Sequence, residues 1–260
     1  MEAHVRFYAA LAVGSVVWAL SVLHGRIILL GTDPGPFRRA RLSRWRASWA
    51  TALLRVLRSF MRLKVAYRLP SSHALGLVRD GRCLIISNHQ HSLIEPFVLP
   101  GLLEAMGLGN VRWVAKEEMR RAWGWGPMFD ASGFAWVRRG GHASDIRAVE
   151  AAAAAAAGEG ASFALFPEGT RAPLGQLVRP KAGGFLAAVR NMPEAPIVSV
   201  TFGWDVPPQG GNTMLDGAPL LGRTVIVTVG IGDPVREESA KSWLKAEWER
   251  KRDILSTGAS

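Results

Sequence analysis

Cysteine is almost absent from this sequence, because Cys83 is the only one among 260 residues. A single cysteine cannot form an intrachain disulfide, and no Cys/His spacing in the chain is typical of a metal cage. We therefore predict no metal site and no prosthetic group, and we expect the folded domain to face the cytosol. Because Cys83 opens an apolar run at residues 83–86, it is interpreted as a small buried residue and not as a reactive thiol.

Acidic residues are also scarce. The chain has 21 Asp and Glu against 32 Lys and Arg, which gives a net charge of +11 and a pI near 10.9. This balance favours a polyanionic partner. Nucleic acid is disfavoured, since the basic residues are not interleaved with stacking aromatics and no groove-reading module is found. Five arginines follow an apolar stretch within nine residues and predict contact with anionic lipid: Arg38, Arg39, Arg41, Arg44 and Arg46.

A long unbroken hydrophobic run is missing. Residues 7–23 carry no charged side chain, but 17 residues is the lower limit for spanning a bilayer, and Arg26 interrupts the run before it continues to Leu30. A cleavable signal peptide is disfavoured, because only Arg6 supplies positive charge ahead of the run.

Residues 31–36 are rich in Gly and Pro and break any helix. From residue 42 to about residue 67, hydrophobic side chains recur at three- and four-residue spacing with arginine on the other face. This pattern is typical of an amphipathic helix at a membrane interface. We predict that residues 1–67 form a two-helix membrane anchor, with two ordinary core helices as the alternative.

Beyond Pro70, short apolar runs alternate with helical stretches, which is the pattern of an α/β domain. Helices are predicted at 145–157, which ends in seven consecutive alanines, and at 239–254. Residues 68–260 are therefore predicted to form an α/β domain with a mixed, mostly parallel central sheet flanked by helices. The predicted strands are residues 83–87, 111–115, 134–137, 162–166, 197–201 and 225–231.

The densest group of reactive side chains lies at residues 87–96, directly after the first predicted strand, where sites form in open α/β sheets. Histidine suits the proton exchange that an attacking hydroxyl requires near neutral pH. A carboxylate that accepts the other imidazole N–H fixes the tautomer and stabilises the imidazolium. His89 and Glu95 are the candidate pair for this chemistry.

Two further segments carry recognisable motifs. Residues 166–171 read Phe-Pro-Glu-Gly-Thr-Arg, and residues 133–139 read Gly-Phe-Ala-Trp-Val-Arg-Arg. With the Asn-His pair at 88–89 and the Pro-containing apolar segment at 195–198, they resemble the four motifs of the glycerolipid acyltransferase family. The best-known members of that family make phosphatidate from lysophosphatidate. The resemblance covers most of residues 83–203, and the six-residue motif is matched in full.

The resemblance implies roles for individual residues. His89 is expected to be the general base, with Glu95 as its carboxylate partner. Arg139 and Arg171 are expected to bind phosphate, because planar guanidinium groups bind phosphate oxygens bidentately. Gly169 is expected to let backbone N–H groups approach the phosphate. Glu168 is expected to organise its loop or to bind a substrate hydroxyl, and for Lys181 a solvated loop lysine is the alternative. The full set of predicted substrate-binding residues is Asn88, Trp136, Arg139, Glu168, Gly169, Thr170, Arg171 and Lys181.

The first motif departs from the family pattern in its spacing. Family members have four residues between the histidine and an aspartate, whereas five separate His89 from Glu95. On a helix one added residue turns the acid by about 100°, and the longer side chain of Glu recovers some reach. His91, three residues from the acid, is the alternative partner. We predict His89, because residues 87–90 match the family better. Trp136 stands where the family usually has Phe.

The resemblance implies a membrane enzyme that moves a fatty acyl group from acyl-CoA or acyl carrier protein to the free hydroxyl of 1-acyl-glycerol-3-phosphate. The same motifs fit another lysolipid acceptor, such as a lyso-ornithine lipid or a lysophospholipid, and a lipid-binding relative without turnover is a third interpretation. Membrane lipids are expected partners, at the cytosolic face of the cell (inner) membrane. Candidate walls of an acyl tunnel are Leu93, Ile94, Phe97 and Trp136; packing in the core is the alternative for each of them and the preferred interpretation for Ile94.

Overall fold

The computed structural model describes residues 1–78, 81–138 and 142–257. Its strands are β1 (Lys64–Arg68), β2 (Leu84–Ser87), β3 (Val111–Lys116), β4 (Ala135–Val137), β5 (Ser162–Leu165), β6 (Ile197–Trp204) and β7 (Thr224–Gly232). They form one seven-stranded sheet in the order β1-β7-β6-β2-β5-β3-β4. The pair β6 and β7 is antiparallel, and the other neighbouring strands are parallel. The predicted mixed, mostly parallel α/β sheet is confirmed.

Helices cover both faces of this sheet. Those described are α1 (Glu2–Leu30), α2 (Pro36–Met61), α3 (Ser72–Gly76), α4 (Glu95–Ala105), α5 (Gly126–Ala131), α6 (Ala143–Gly158), α7 (Ala182–Asn191) and α8 (Glu237–Thr257). Helices α1, α2 and α4 contribute to the core on one face, and α6, α7 and α8 to the core on the other. The domain is therefore built of three layers, with the sheet in the middle.

Strand β2 and the residue before it illustrate why the sequence forms buried strands. Leu84 and Ile86 belong to the core beside α6, α7 and α8, whereas Cys83 and Ile85 belong to the opposite core. Because side chains alternate along a strand, one that is covered on both faces is an unbroken apolar run. All six predicted strands are confirmed by strands at the same places in the structure. Cys83 is fully buried, and burial raises the pKa of its thiol to about 12, as its interpretation as a core residue requires.

The prediction that an amphipathic helix continues to residue 67 is wrong at its C-terminal end. Helix α2 ends at Met61, because Arg62 adopts a left-handed conformation with φ of 50° and turns the chain. Residues 64–68 then form β1, which pairs with β7. This edge strand is exposed at four of its five positions, so it lacks the apolar alternation that reveals a strand. The proposed anchor of residues 1–67 thus includes part of the sheet.

The first two helices pack against the rest of the domain. Phe7 of α1 and Leu57 of α2 belong to the same core as the central strands. The Phe7 ring lies so close to Gly217 that a Cβ atom at residue 217 would be 1.9 Å from it. The indole N–H of Trp45 in α2 donates to the carbonyl of Ser21 in α1 at 2.9 Å. Helix α1 therefore contacts protein near its start and beyond its middle.

The opposite side of α1 is apolar and exposed. Among the described helices, α1 is the one long and apolar enough to cross a membrane, judged by length and composition. Its exposed large hydrophobic residues recur at spacings of three to five positions, so they form a stripe along the helix. We call this the apolar stripe of α1: Val5, Tyr8, Val13, Val16, Leu20, Leu23, Ile27 and Leu30.

One edge of the sheet gathers three loops. Strands β2, β5 and β6 are parallel, so their C-terminal ends meet at the same edge. The residues that follow them, 88–94, 166–181 and 205–217, therefore lie near one another. Asn88, which follows β2, bonds to Phe202 of β6. Its Nδ2 donates to the Phe202 carbonyl at 2.9 Å, and its Oδ1 accepts from the Phe202 N–H at 2.8 Å.

Candidate active site

The loop between β2 and α4 brings His89 and Glu95 together. Nδ1 of His89 lies 3.2 Å from Oε2 of Glu95. The side chain of Glu95 is 1% exposed, whereas that of His89 is 17% exposed. A neutral imidazole that donates from Nδ1 to this carboxylate keeps Nε2 free to accept a proton. The pair therefore has the arrangement of a general base with an orienting carboxylate.

The irregular spacing of the first motif is absorbed by the loop. Glu95 is the first residue of α4, and its carboxylate also accepts the backbone N–H groups of Gln90 at 2.8 Å and His91 at 2.9 Å. Residues 89–94 thus curl around the carboxylate instead of extending the helix backwards. The 100° rotation that an added helical residue would cause does not arise.

His91 does not offer its ring to Glu95. Its Nδ1 accepts the backbone N–H of Leu93 at 3.1 Å, and the residue is fully buried. Burial lowers the pKa of this imidazole, against the opposing charges of Glu95 and Asp216. Among the two histidines of the motif, the structure pairs His89 with the acid.

The loop after β5 holds the main chain of His89. Oε2 of Glu168 accepts the His89 N–H at 3.2 Å, and the Ala172 N–H donates to the His89 carbonyl at 2.7 Å. The ring of Phe166 stacks on the imidazole with centroids 4.7 Å apart and an interplanar angle of 30°. His89 is therefore fixed through its backbone and one ring face, in addition to Nδ1.

Glu168 lies inside the protein. Besides His89, it accepts the backbone N–H of Val178 and the indole N–H of Trp248, both at 3.3 Å, and it is 1% exposed. Burial raises the pKa of this carboxyl to about 7, although the hydrogen bonds oppose the shift. Its oxygens bond the loop and α8, and its contact with a substrate stays a prediction.

Arg171 lies next to the His89 loop. Its Nη1 donates to the hydroxyl of Ser92 and to the carbonyl of Asn212, the latter at 3.2 Å. Asn212 belongs to the loop after β6 and also donates from Nδ2 to the Ala172 carbonyl at 2.9 Å. Arg171 thus joins the three loops at this edge, and Asn212 is a contributor that the sequence motifs did not reveal.

Three further predicted residues surround the same turn. Gly169 has φ of 66°, a conformation that glycine adopts without strain. Its N–H donates to the Phe166 carbonyl at 2.9 Å, so this donor closes the turn and is not offered to a ligand. Thr170 is exposed. The exposed Lys181 places Nζ 3.7 Å from where a Cβ atom at residue 169 would lie. Thr170 and Lys181 are therefore available to an anion.

The remaining predicted residues are Asn88, Trp136 and Arg139. Asn88 is fully buried and bonded at both ends of its amide to Phe202, so it links β2 to β6, and its contact with a substrate stays a prediction. Trp136 is half-buried, and its indole N–H donates to Asp130 Oδ1 at 2.9 Å. Arg139 lies outside the described residues.

An apolar cavity of about 180 Å³ lies beside the site, between α2, α4, β3 and α5. Its wall includes Phe166, the ring that stacks on His89, and Trp113. Arg46 is the one charged residue of its described lining; its guanidinium carbon lies 5.1 Å from the centroid of Trp113. Burial lowers the pKa of Arg46 to about 9. Because one wall touches the imidazole, the cavity is placed to receive a chain that starts at His89.

The predicted tunnel walls agree with this cavity in part. Phe97 lines it, as predicted. Leu93 and Ile94 belong to the main core instead. Trp136 is not among the lining residues, and Phe134, two positions earlier, takes that place. The prediction of Trp136 as a wall is therefore corrected, because residues 134 and 136 differ in their neighbours even though they share a strand face.

Trp248 and Lys251 are a second contribution that the motifs missed. Both lie on α8 and are buried, with Trp248 bonded to Glu168. A signal was present in the sequence, because Ala240, Leu244, Trp248 and Lys251 recur at helical spacing, which places a lysine on an otherwise apolar face.

The described residues contain no group of three or more His, Cys, Asp or Glu side chains arranged to hold a metal ion. In this part of the chain, the geometry of His89 suits proton transfer, and Arg171, Thr170 and Lys181 carry groups that suit an anion.

Comparisons with known proteins agree with this geometry. A sequence profile of the family described as Acyltransferase matches residues 69–203. Among solved structures, the chain is similar to the crystal structure of the 1-acyl-sn-glycerophosphate (LPA) acyltransferase PlsC from Thermotoga maritima. The TM-score is 0.62 at 18% identity, with 98% of this chain and 95% of that chain covered. At this identity the likeness shows a shared fold. No curated protein sequence matches.

Proposed function

The chain belongs to the acyltransferase family, and from this premise we propose that it acylates the free hydroxyl of 1-acyl-glycerol-3-phosphate to give phosphatidate. The acyl donor is a thioester, either acyl-CoA or acyl carrier protein. The observation that carries the proposal is the His89–Glu95 pair at 3.2 Å, beside an apolar cavity on one side and Arg171 on the other. These are the three elements that a lysophospholipid acylation requires.

The proposed mechanism needs no covalent enzyme intermediate. Nε2 of His89 takes the proton of the acceptor hydroxyl as its oxygen attacks the thioester carbonyl. Glu95 accepts the Nδ1–H and stabilises the imidazolium that forms. When the tetrahedral intermediate collapses, the C–S bond breaks, the new C–O ester bond remains, and the Nε2 proton passes to the thiolate. His89 thus returns to its starting state.

The headgroup is proposed to lie against Arg171, Thr170 and Lys181. A phosphomonoester carries up to two negative charges, and a guanidinium plus an ammonium match that charge. Arg171 would exchange its bonds to the Ser92 hydroxyl and the Asn212 carbonyl for bonds to phosphate oxygens. Arg139, outside the described residues, is proposed as a second guanidinium on the strength of the motif.

The cavity beside Phe166 is proposed to hold the hydrocarbon of an acyl chain. Its lining is aromatic and aliphatic apart from Arg46, so it offers burial to methylene groups at about 0.8 kcal/mol each. A chain that enters past Phe166 starts within contact of the imidazole. The thioester carbonyl is then held where the acceptor hydroxyl attacks it.

The first two helices are proposed to lie in the membrane surface. The apolar stripe of α1 provides the hydrocarbon contact, while the opposite side of α1 is occupied by protein. Exposed arginines recur along α2 and at the residue that follows it, and they suit anionic headgroups: Arg41, Arg44, Arg55, Arg58 and Arg62. We propose that the domain lies on the cytosolic face of the membrane, as expected from the sequence.

The test is acyl transfer in detergent from radiolabelled acyl-CoA or acyl carrier protein to lysophosphatidate, with a lyso-ornithine lipid as the competing acceptor. The wild-type protein is expected to make phosphatidate with at least one donor. His89→Ala is expected to lose about a thousandfold in kcat, since general-base catalysis contributes roughly 10²–10⁴-fold.

His91→Ala is the matched control, because it removes a neighbouring imidazole that does not bond the Glu95 carboxylate. It is expected to keep kcat within about tenfold of wild type, once thermal melting has shown that the variant is folded. Folded wild-type protein that acylates only the lyso-ornithine lipid would overturn the proposed acceptor. Folded protein that binds lipid and transfers no acyl group would overturn the enzymatic proposal.

A further inference from the structure

The buried face of α8 reaches the back of the active-site loop. Trp248 is 2% exposed and Lys251 is 0% exposed, although most neighbours on this helix face solvent. The family profile ends at residue 203, so α8 lies outside the matched segment. Trp243, one turn earlier, stacks on Phe185 of α7 instead, with centroids 5.6 Å apart.

A chain of hydrogen bonds connects α8 to His89. The Trp248 indole N–H donates to Oε1 of Glu168 at 3.3 Å, and Oε2 of the same carboxylate accepts the His89 N–H at 3.2 Å. The third donor is the Val178 N–H, also on Oε1 at 3.3 Å. Two of the three donors are backbone groups, so the indole is the one side chain that supplies a hydrogen bond to Glu168 in the described structure.

Lys251 adds a buried cation to this cluster. Its Nζ donates to the Val200 carbonyl at 2.6 Å and to the Thr201 hydroxyl at 3.1 Å, and it lies 5.4 Å from the centroid of Trp248. Burial lowers the pKa of Lys251 to about 7, while the negative charges of Glu247 and Glu168 oppose that shift. Its ion-pair partner is Glu247, whose Oε1 lies 4.0 Å from Nζ, so Lys251 is linked to Glu168 through the Trp248 ring that it contacts.

We propose that Trp248 and Lys251 are positioning residues for His89 and act through the carboxylate of Glu168. Neither touches the imidazole. They keep Glu168 ionised and oriented, so that all three N–H donors have an acceptor and the His89 backbone stays in place. The proposal rests on the proposed function and deepens it, because it gives the base a support from outside the segment that the family profile matches.

The mechanism of support predicts a pH dependence. When Glu168 is protonated, its O–H faces at least one of the N–H groups that donate to the carboxylate. That hydrogen bond is lost, and the His89 backbone is held less firmly. The charged groups that bear on this cluster are His89 beside Glu168, and Glu247 and Arg250 beside Lys251. Removal of the Trp248 donor or of the Lys251 charge makes protonation easier, so both changes move the acid limb of activity toward higher pH.

The test compares Trp248→Phe with Trp243→Phe, because each keeps an aromatic ring and removes one indole N–H from the same helix. For Trp248→Phe we expect kcat about twofold lower at pH 7, KM within twofold, and recovery to the wild-type kcat at pH 9. The acid limb should move up by roughly half a pH unit, which corresponds to one hydrogen bond. Trp243→Phe should match wild type at every pH.

Lys251→Met is the second variant and should move the acid limb in the same direction. A purely structural role for α8 would lower the melting temperature and reduce activity equally at pH 7 and pH 9. Equal loss at both pH values in folded Trp248→Phe, or the same limb shift in Trp243→Phe, would overturn the proposal.

A readout without turnover separates this proposal from the proposed function. In protein with ¹³C-labelled histidine, the His89 ring signal is assigned by its absence in His89→Gln. Trp248→Phe is expected to move this signal at pH 7, and Trp243→Phe is not. Unmoved His89 signals in both variants would contradict the positioning role, whereas a missing acyl transfer in wild type contradicts the proposed function alone.

Discussion

Two buried glutamates flank His89, and they differ in what they hold. Glu95 and Glu168 are each 1% exposed, and each carboxylate accepts three N–H groups. One of the donors to Glu95 is the imidazole itself, whereas Glu168 binds the His89 backbone and an indole from α8. The comparison shows that the same side chain, equally buried, orients a reactive ring in one place and builds a loop in the other.

The electrostatic surroundings of the two carboxylates differ as well. Glu95 is the first residue of α4, at the positive end of that helix dipole. Glu168 follows a strand and lies deep against α8, where burial raises its pKa to about 7. The hydrogen bonds from His89, Trp248 and Val178 oppose that shift, so the charge of Glu168 is sensitive to pH near neutrality.

The largest expected effect is a difference in kcat between variants of Glu95 and variants of Glu168. Glu95→Gln is expected to lower kcat about a thousandfold, because the imidazolium loses its counter-charge and the ring loses its tautomer preference. Glu168→Gln is expected to lower kcat about tenfold, since the loop is disturbed while the ring keeps Glu95. Steady-state kinetics on variants shown to be folded would check this, and equal losses would remove the distinction between ring and backbone support.

The second effect concerns stability. The folded state raises the pKa of Glu168 from 4.5 to about 7, so its contribution to stability is complete below pH 4.5 and is lost as pH rises to 7. Glu168→Gln does not titrate, so its stability relative to wild type should improve by up to about 3 kcal/mol between pH 4.5 and pH 7. Denaturant unfolding at several pH values measures the difference. A constant difference across that window would contradict the raised pKa.

The third effect tests Arg171, which joins the three loops at the edge of the sheet. Arg171→Lys keeps a positive charge but removes the fork that bonds Ser92 and Asn212. We expect the KM for lysophosphatidate to rise roughly 10–100-fold, consistent with about 1.5–3 kcal/mol for a hydrogen bond to a charged group. Arg138→Lys is the matched control, since the exposed Arg138 bonds Ser144 instead. A similar rise in both variants would point to general charge and not to a phosphate site.

The smallest effect probes the length of the acid. Glu95→Asp shortens the side chain by one methylene, so it cannot bond the His89 ring and the two backbone N–H groups together in a loop of this length. We expect kcat to fall about tenfold with little change in KM, because the ring is held less well while a carboxylate remains. Unchanged kcat would show that the loop adapts, and that the spacing of the motif is not matched to Glu.

Much of this architecture follows from local sequence patterns. Strands β2, β5 and β6 are buried along their whole length, and the burial of β7 alternates along the strand, so both patterns were predictable from residues within each strand. The His89–Glu95 pair was predictable because both residues lie on one short loop after a buried strand. The motif at 166–171 indicated a second loop at the same edge, since parallel strands end together.

Other features depend on contacts between distant parts of the chain. The Trp248–Glu168 bond joins residues 80 positions apart, and the Arg171–Asn212 bond joins residues 41 apart. No local pattern states which buried residue of α8 meets which loop. For the same reason the sequence did not reveal that long-range bonds turn Asn88 and Glu168 into the interior.

The short connection between α2 and β1 has a consequence for how a lipid reaches the site. Only Arg62 and Leu63 separate Met61, the end of the helix, from Lys64, where the sheet begins. A two-residue connection, packed on one side and hydrogen-bonded on the other, leaves no hinge. If the first helices rest in the bilayer surface, His89 stays at a constant height above it. The lysolipid must then move partly out of the bilayer to reach His89, because the connection between α2 and β1 does not let the domain bend toward the lipid.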